Sequence, residues 1–165
     1  MTRFSAELPL RDEAQTRHLA AALGAHLRPG DVILLSGDIG AGKTAFARAL
    51  IGSLQKAPED VPSPTFTLVQ VYDTRRGEVW HADLYRIARV SEIEELGLSE
   101  AFAAAICLIE WPDRLGDLTP PGALDLTLTA GPDDDTRIAR LSWADPRWSA
   151  PVGEVVAALG TVAAR

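Results

Sequence analysis

The 165-residue chain holds one cysteine, Cys107, so no disulfide can form within it. Cys107 lies in the apolar run Ile106-Cys107-Leu108-Ile109, where a thiol behaves as a small buried hydrophobe. A single unpaired thiol fits a reducing compartment, and the expected location is cytoplasmic. Long hydrophobic runs are missing too. The longest, Ala101 to Ile109 between Glu100 and Glu110, is far too short to span a bilayer. Met1 to Glu7 carries no apolar signal core, so neither secretion nor membrane insertion is expected. Positive charge is scarce: 16 Lys+Arg face 23 Asp+Glu, a net charge of −7. A field of that sign disfavours unaided binding to nucleic acid or to an anionic membrane. Lysine is rarest of all, with Lys43 and Lys56 alone.

What remains is an ordinary globular composition, 47% hydrophobic and 24% charged. The length suits one domain over residues 1–165, with no repeat or linker. Residues 3–10 alternate weakly, as an edge strand would. Residues 12–27 carry a helical spacing that Pro29-Gly30 stops. Val32-Ile33-Leu34-Leu35 and residues 105–109 read as buried strands. A helix is expected from Lys43 to Leu54 and an exposed loop over 55–64. Residues Thr65 to Tyr72 and Glu78 to Leu84 are β-rich, and a helical segment opens at Ser91-Glu92. A turn or short helix follows Pro112. A late hairpin spans 123–129 and 137–143, and residues 151–160 suit a last helix. Strands interleaved with helices predict a three-layer α/β/α sandwich. Its central sheet should be mixed and mainly parallel.

The strongest signal is Gly37-Asp38-Ile39-Gly40-Ala41-Gly42-Lys43-Thr44, which fits G-x-x-x-x-G-K-[ST]. Glycines let backbone N–H groups turn inward around phosphate oxygens, and the following helix points its positive end at the same anion. Lys43 is placed for the β- and γ-phosphates and the Thr44 hydroxyl for Mg²⁺; Ala45 continues the nucleotide-binding run. By chance the pattern arises in roughly 0.6% of chains this long, and here it follows an apolar strand and opens a helix. Reading guanine through Asn-Lys-x-Asp requires another lysine, but Lys56 follows Gln55 and precedes Ala57-Pro58. ATP is therefore the expected nucleotide.

Such a loop needs an acid on a neighbouring strand tip to hold Mg²⁺ or to orient water. Glu110 ends the second buried strand, and Asp83 stands in His81-Ala82-Asp83-Leu84-Tyr85-Arg86 after a β-rich stretch. Both are candidates, with the two roles left undivided. His81 reads as a structural histidine, or else as a proton-transfer group. Trp80 and Trp111 read as packing residues, with lining of the site or of a partner surface as the alternative for Trp111, which directly follows the candidate acid. Pro62-Ser63-Pro64-Thr65-Phe66 offers the Ser63 and Thr65 hydroxyls as a switch-like loop that orders around a γ-phosphate.

These four blocks, ending with Ile109-Glu110-Trp111-Pro112, together resemble the TsaE (YjeE) family, ATPases of bacterial tRNA threonylcarbamoyladenosine biosynthesis. The resemblance runs from about residue 8 to residue 143. It implies a phosphate-loop NTPase-like sandwich with ATP and Mg²⁺ as ligands, with Lys43 on phosphate, Thr44 and Glu110 at the metal, and Asp83 as the strand-end acid. It implies TsaB and TsaD as partners, which modify adenosine 37 of ANN-decoding tRNAs, while the ATPase resets the pair between turnovers. The tRNA is then held by the complex and not by this acidic chain alone. Asp12-Glu13 and Arg137 fall where family members approach the nucleotide. Two departures stand out: Ala45 replaces a common second threonine, and Leu118-Thr119-Pro120-Pro121 replaces a Leu-Pro. Two other readings fit a phosphate loop: a small-molecule kinase, which needs an arginine-rich lid, and a non-catalytic scaffold whose docking depends on ATP binding.

Overall fold

Two short runs of large aliphatic residues form the centre of the molecule. In the computed structural model, which describes residues 2–56 and 68–163, β2 (Val32–Ser36) and β5 (Ile106–Glu110) pair in parallel, with Leu35 opposite Glu110. Nearly every residue of both strands is buried, because helices cover both faces. The remaining strands are β1 (Phe4–Leu10), β3 (Val69–Thr74), β4 (Gly77–Asp83), β6 (Leu124–Ala130) and β7 (Arg137–Trp143). All seven form one sheet in the order β1-β7-β6-β2-β5-β4-β3. β4, β5, β2 and β6 run parallel, β7 and β3 run against them, and β1 pairs antiparallel with β7. Five of the seven strands thus share one direction, and the sheet is mixed and mainly parallel, as expected.

The period-two alternation sorts side chains onto two faces. Ile33, Leu35, Ile106, Leu108, Leu124, Leu126 and Leu128 face α1 (Glu13–Gly24), α2 (Lys43–Leu54) and α5 (Ser149–Ala163). Phe46, Leu50, Leu19, Leu23 and Val152 fill that core from the helices. Val32, Leu34, Cys107 and Ile109 face the smaller layer of α3 (Val90–Glu95) and α4 (Leu98–Ala104), with a 3₁₀ segment at Pro112–Leu118. This third layer is partial. On β6 the alternate residues Asp125 and Thr127 are only half-buried, so the sandwich has three layers over β2, β4 and β5 and a more open face beyond β6. The long apolar run divides at Ala105: its alanine-rich first half is helix α4, and its β-branched second half is β5.

The parallel direction positions the site. The C-terminal ends of β1, β2, β4, β5 and β6 all reach one edge of the sheet, where ligands of open α/β sheets bind. Glu110 is in register with Asp83 on one side and Leu35 on the other. Arg137, at the start of reversed β7, is in register with both Leu10 and Ala130, so it enters the same edge. The opposite edge is purely structural: Arg147 pairs with the buried Asp31 and bonds the His26 carbonyl. Ser63 and Thr65 lie outside the described residues. Among those described, no helix is long and apolar enough to cross a membrane.

Cys107 is fully buried, and burial, aided by the charge of Glu78, pushes its thiol pKa up to about 12. The native protein should therefore resist a thiol reagent at about pH 8 and react fully in guanidinium, read by absorbance. Rapid labelling of the native protein would contradict this placement.

Candidate active site

The loop between β2 and α2 is shaped by its glycines. Gly42 adopts a left-handed conformation (φ 104) and caps α2, so the helix begins at Lys43. Gly37 (φ 140) has no room for a side chain, since a Cβ there would lie 2.4 Å from the Leu128 carbonyl oxygen. The Lys43 ammonium donates to the carbonyls of Gly37 (2.5 Å) and Asp38 (2.9 Å), which fold the long side chain back over its own loop. It also sits 4.2 Å from the centroid of the Trp111 ring, a cation–π contact. Burial pushes the Lys43 pKa down, while the negative fields of Glu110, Asp83 and Asp38 act the other way.

Trp111 follows Glu110 with φ 59 and ψ 53, a left-handed conformation that is costly for a bulky residue. The turn directs the indole back over the strand tips, against Lys43 and 4.9 Å from the Tyr85 ring. Trp111 therefore walls the cleft and also packs against the smaller core. Trp80 packs against the same core, with its indole N–H bonded to Glu78.

Glu110 is 2% exposed. Its Oε1 accepts the Thr44 hydroxyl at 2.7 Å, and its Oε2 lies 2.7 Å from His81 Nε2. Donation by Thr44 to the carboxylate leaves the lone pairs of Oγ1 available to a cation. Asp83, also buried, accepts the Tyr85 backbone N–H at 3.0 Å. Among the described residues no group of three or more His, Cys, Asp or Glu forms a metal cage. One hydroxyl and one carboxylate instead match Mg²⁺, which keeps most of its shell as water and phosphate oxygen.

These groups line a cleft of about 490 Å³ that brings Lys43, Thr44, Asp83 and Glu110 together with Glu13 and Arg137. Ile39, Gly40, Gly42 and Ala45 complete the wall on the loop side. Asp38 and Ala41 face an adjoining hollow under the β6–β7 turn. Asp12 has another task, accepting the Gln15 N–H as the N-cap of α1. Arg137 spends its guanidinium on the carbonyls of Ala41, Gly40, Asp134 and Thr136, bracing the late hairpin against the phosphate loop. A second hollow of about 430 Å³ opens beyond Ala45, with Thr16 and Arg17 from α1 and Arg48 from α2. The sequence reading missed these three; Arg48 lies one turn beyond Thr44, and that spacing was its one local signal. Of the two arginine pairs nearest to a lid, Arg75-Arg76 and Arg86/Arg89, the first binds the carbonyls of Leu54, Ser53 and Ala25 near the C-terminal ends of α2 and α1. That is the far end of α2 from Lys43.

Residues 10–139 match the family model for the threonylcarbamoyl adenosine biosynthesis protein TsaE. The chain belongs to the TsaE family. The tRNA threonylcarbamoyladenosine biosynthesis protein TsaE of Rickettsia bellii is 37% identical over 142 residues, covering 86% of this chain and 98% of that one. Its Bacillus subtilis namesake is 35% identical over 125 residues, covering 75% and 77%. The crystal structure of Bacillus subtilis YdiB superposes with a TM-score of 0.76 at 26% identity, covering 94% and 96%. The TsaE match contains all the described cleft residues named above, and the YdiB likeness supports the same mixed sheet.

The two loop glycines give an ordered prediction. Gly37→Ala meets both a left-handed φ and the Leu128 carbonyl, whereas Gly40→Ala meets an unfavourable φ (83) with nothing within 4 Å. Gly40→Ala should cost about 1–2 kcal/mol of stability in denaturant unfolding, and Gly37→Ala distinctly more. Equal losses would contradict the close approach of Leu128.

Proposed function

We propose that this TsaE-family chain is an ATPase of tRNA threonylcarbamoyladenosine biosynthesis. In this reading it binds ATP with Mg²⁺ at the phosphate loop and acts on a TsaB–TsaD pair. Its cycle permits repeated threonylcarbamoylation of adenosine 37 in ANN-decoding tRNAs. The observation that carries the proposal is the Thr44–Glu110 hydrogen bond beside Lys43, which puts a hydroxyl, a carboxylate and an ammonium at the start of one helix.

Each group then has one task. The Lys43 ammonium has three donors, two of which hold it to the Gly37 and Asp38 carbonyls, so it meets the phosphates already oriented. The N-terminus of α2 adds backbone N–H groups and a positive dipole. Thr44 and Glu110 would hold Mg²⁺, which would supply positive charge against the phosphate oxygens. Asp83, level with Glu110 on the next strand, orients the attacking water. Trp111 and Tyr85 shield that side of the cleft from solvent. Phosphoryl transfer of this kind asks for positioning and electrostatics more than for covalent chemistry, and these residues supply both. The net charge of −7 supports leaving the tRNA to the partners.

Steady-state ATP hydrolysis, alone and with TsaB and TsaD, tests the proposal. Weak activity should rise with the partners. Lys43→Ala should lower it by on the order of 10²–10³, and Glu110→Ala should block hydrolysis while leaving part of the nucleotide binding. ATP turnover indifferent to TsaB and TsaD, but raised by a small phosphoryl acceptor, would overturn the partner role. Full support of repeated tRNA modification by Glu110→Ala would overturn the hydrolytic one.

A further inference from the structure

His81 is the one fully buried imidazole among the described residues, at 0% exposure. The proposed mechanism gives it no task. It lies on β4 opposite Leu108, two residues short of the Asp83–Glu110 pair, so it shares a face of the sheet with Glu110 as a diagonal neighbour. Its Nε2 lies 2.7 Å from Glu110 Oε2. Its Nδ1 has no hydrogen-bond partner among the described residues. A protonated Nδ1 would be a buried donor with no acceptor among the described residues, which is costly. A carboxylate oxygen on the other side needs a donor. Both facts put a proton on Nε2.

We propose that His81 is a positioning residue: its Nε2–H fixes the Glu110 carboxylate so that Glu110 and Thr44 hold the magnesium of the bound nucleotide. The inference rests on reading the cleft as a Mg²⁺–nucleotide site. Glu110 is held at both oxygens, by α2 through Thr44 and by β4 through His81. Losing the Thr44 contact to a cation still leaves the carboxylate anchored at Oε2. Losing His81 leaves the carboxylate held at Oε1 alone, by Thr44, about a terminal torsion that has no steep preference of its own. Outer partners of this kind set metal affinity, and their removal typically costs about 10–100-fold.

The chemistry selects the variants. A glutamine amide nitrogen lies the same number of bonds from Cβ as histidine Nε2, whereas an asparagine amide corresponds to Nδ1. Calorimetric titration of ADP with and without Mg²⁺ then separates metal-assisted from metal-free binding. His81→Asn should reduce the Mg²⁺-dependent gain in affinity by about tenfold and leave Mg²⁺-free affinity unchanged. His81→Gln should restore most of the gain. A plain space-filling role would not distinguish the two amides in this way. The wild-type protein supplies a second test that needs no variant. Nitrogen NMR of the imidazole should report a proton on Nε2, with a signal that shifts when Mg²⁺–ADP is added. An Nδ1–H tautomer, or an unchanged Mg²⁺ gain in His81→Asn, would overturn the positioning role while leaving the nucleotide site standing. No Mg²⁺-dependent ADP binding by the wild type would overturn the site reading, and this proposal with it.

Discussion

The charge of Glu110 is the constraint on which the rest of the site depends. A carboxylate taken out of water this far is stable only when its oxygens are paired and opposite charge is near. The chain meets that demand with three groups from two elements: Thr44 and the ammonium of Lys43 from the start of α2, and His81 from β4. Satisfying the acid therefore ties the phosphate loop to the two strands beside it. Burial also raises the worth of each contact, since the low local polarity that penalises an unpaired charge strengthens a paired one.

The loop itself is held before any ligand arrives. Lys43 is folded onto two loop carbonyls, Trp111 covers it, and Arg137 grips the carbonyls of Gly40 and Ala41 from β7. Backbone conformations that most residues avoid are concentrated here, at Gly37, Gly40, Gly42 and Trp111. The glycines adopt theirs without steric cost, whereas the strain at Trp111 persists because surrounding contacts over-determine it. The opposite edge of the sheet has a different character. Asp31 and Arg147 pair with each other there, and the resulting contacts bind loops together with no cleft chemistry.

Much of this was legible in the residues. The glycine spacing and the apolar run before it fixed the phosphate loop, because only such a run buries β2 on both faces. Glu110 was legible for the same reason: four apolar residues ending in an acid leave the acid at a strand tip. Other features were not, because they depend on partners far away in sequence. Asp83 and Glu110 are level only through the β4–β5 register, and the same register brings His81 under Glu110. Arg137 reaches the phosphate loop because β7 runs backwards beside β6. The left-handed turn at Trp111 has no local signature, since tryptophan rarely adopts it; it is imposed by what the ring must cover.

Thr44, Glu110 and Lys43 are proposed to form one Mg²⁺–nucleotide site at the C-terminal edge of the sheet. Crystals grown with a non-hydrolysable ATP analogue and Mn²⁺ in place of Mg²⁺ test it most directly, by anomalous scattering from the metal. The account predicts a single strong peak in contact with Thr44 Oγ1, beside Glu110, with the γ-phosphate against Lys43. A metal peak away from Thr44, or phosphates bound elsewhere on the sheet, would contradict it.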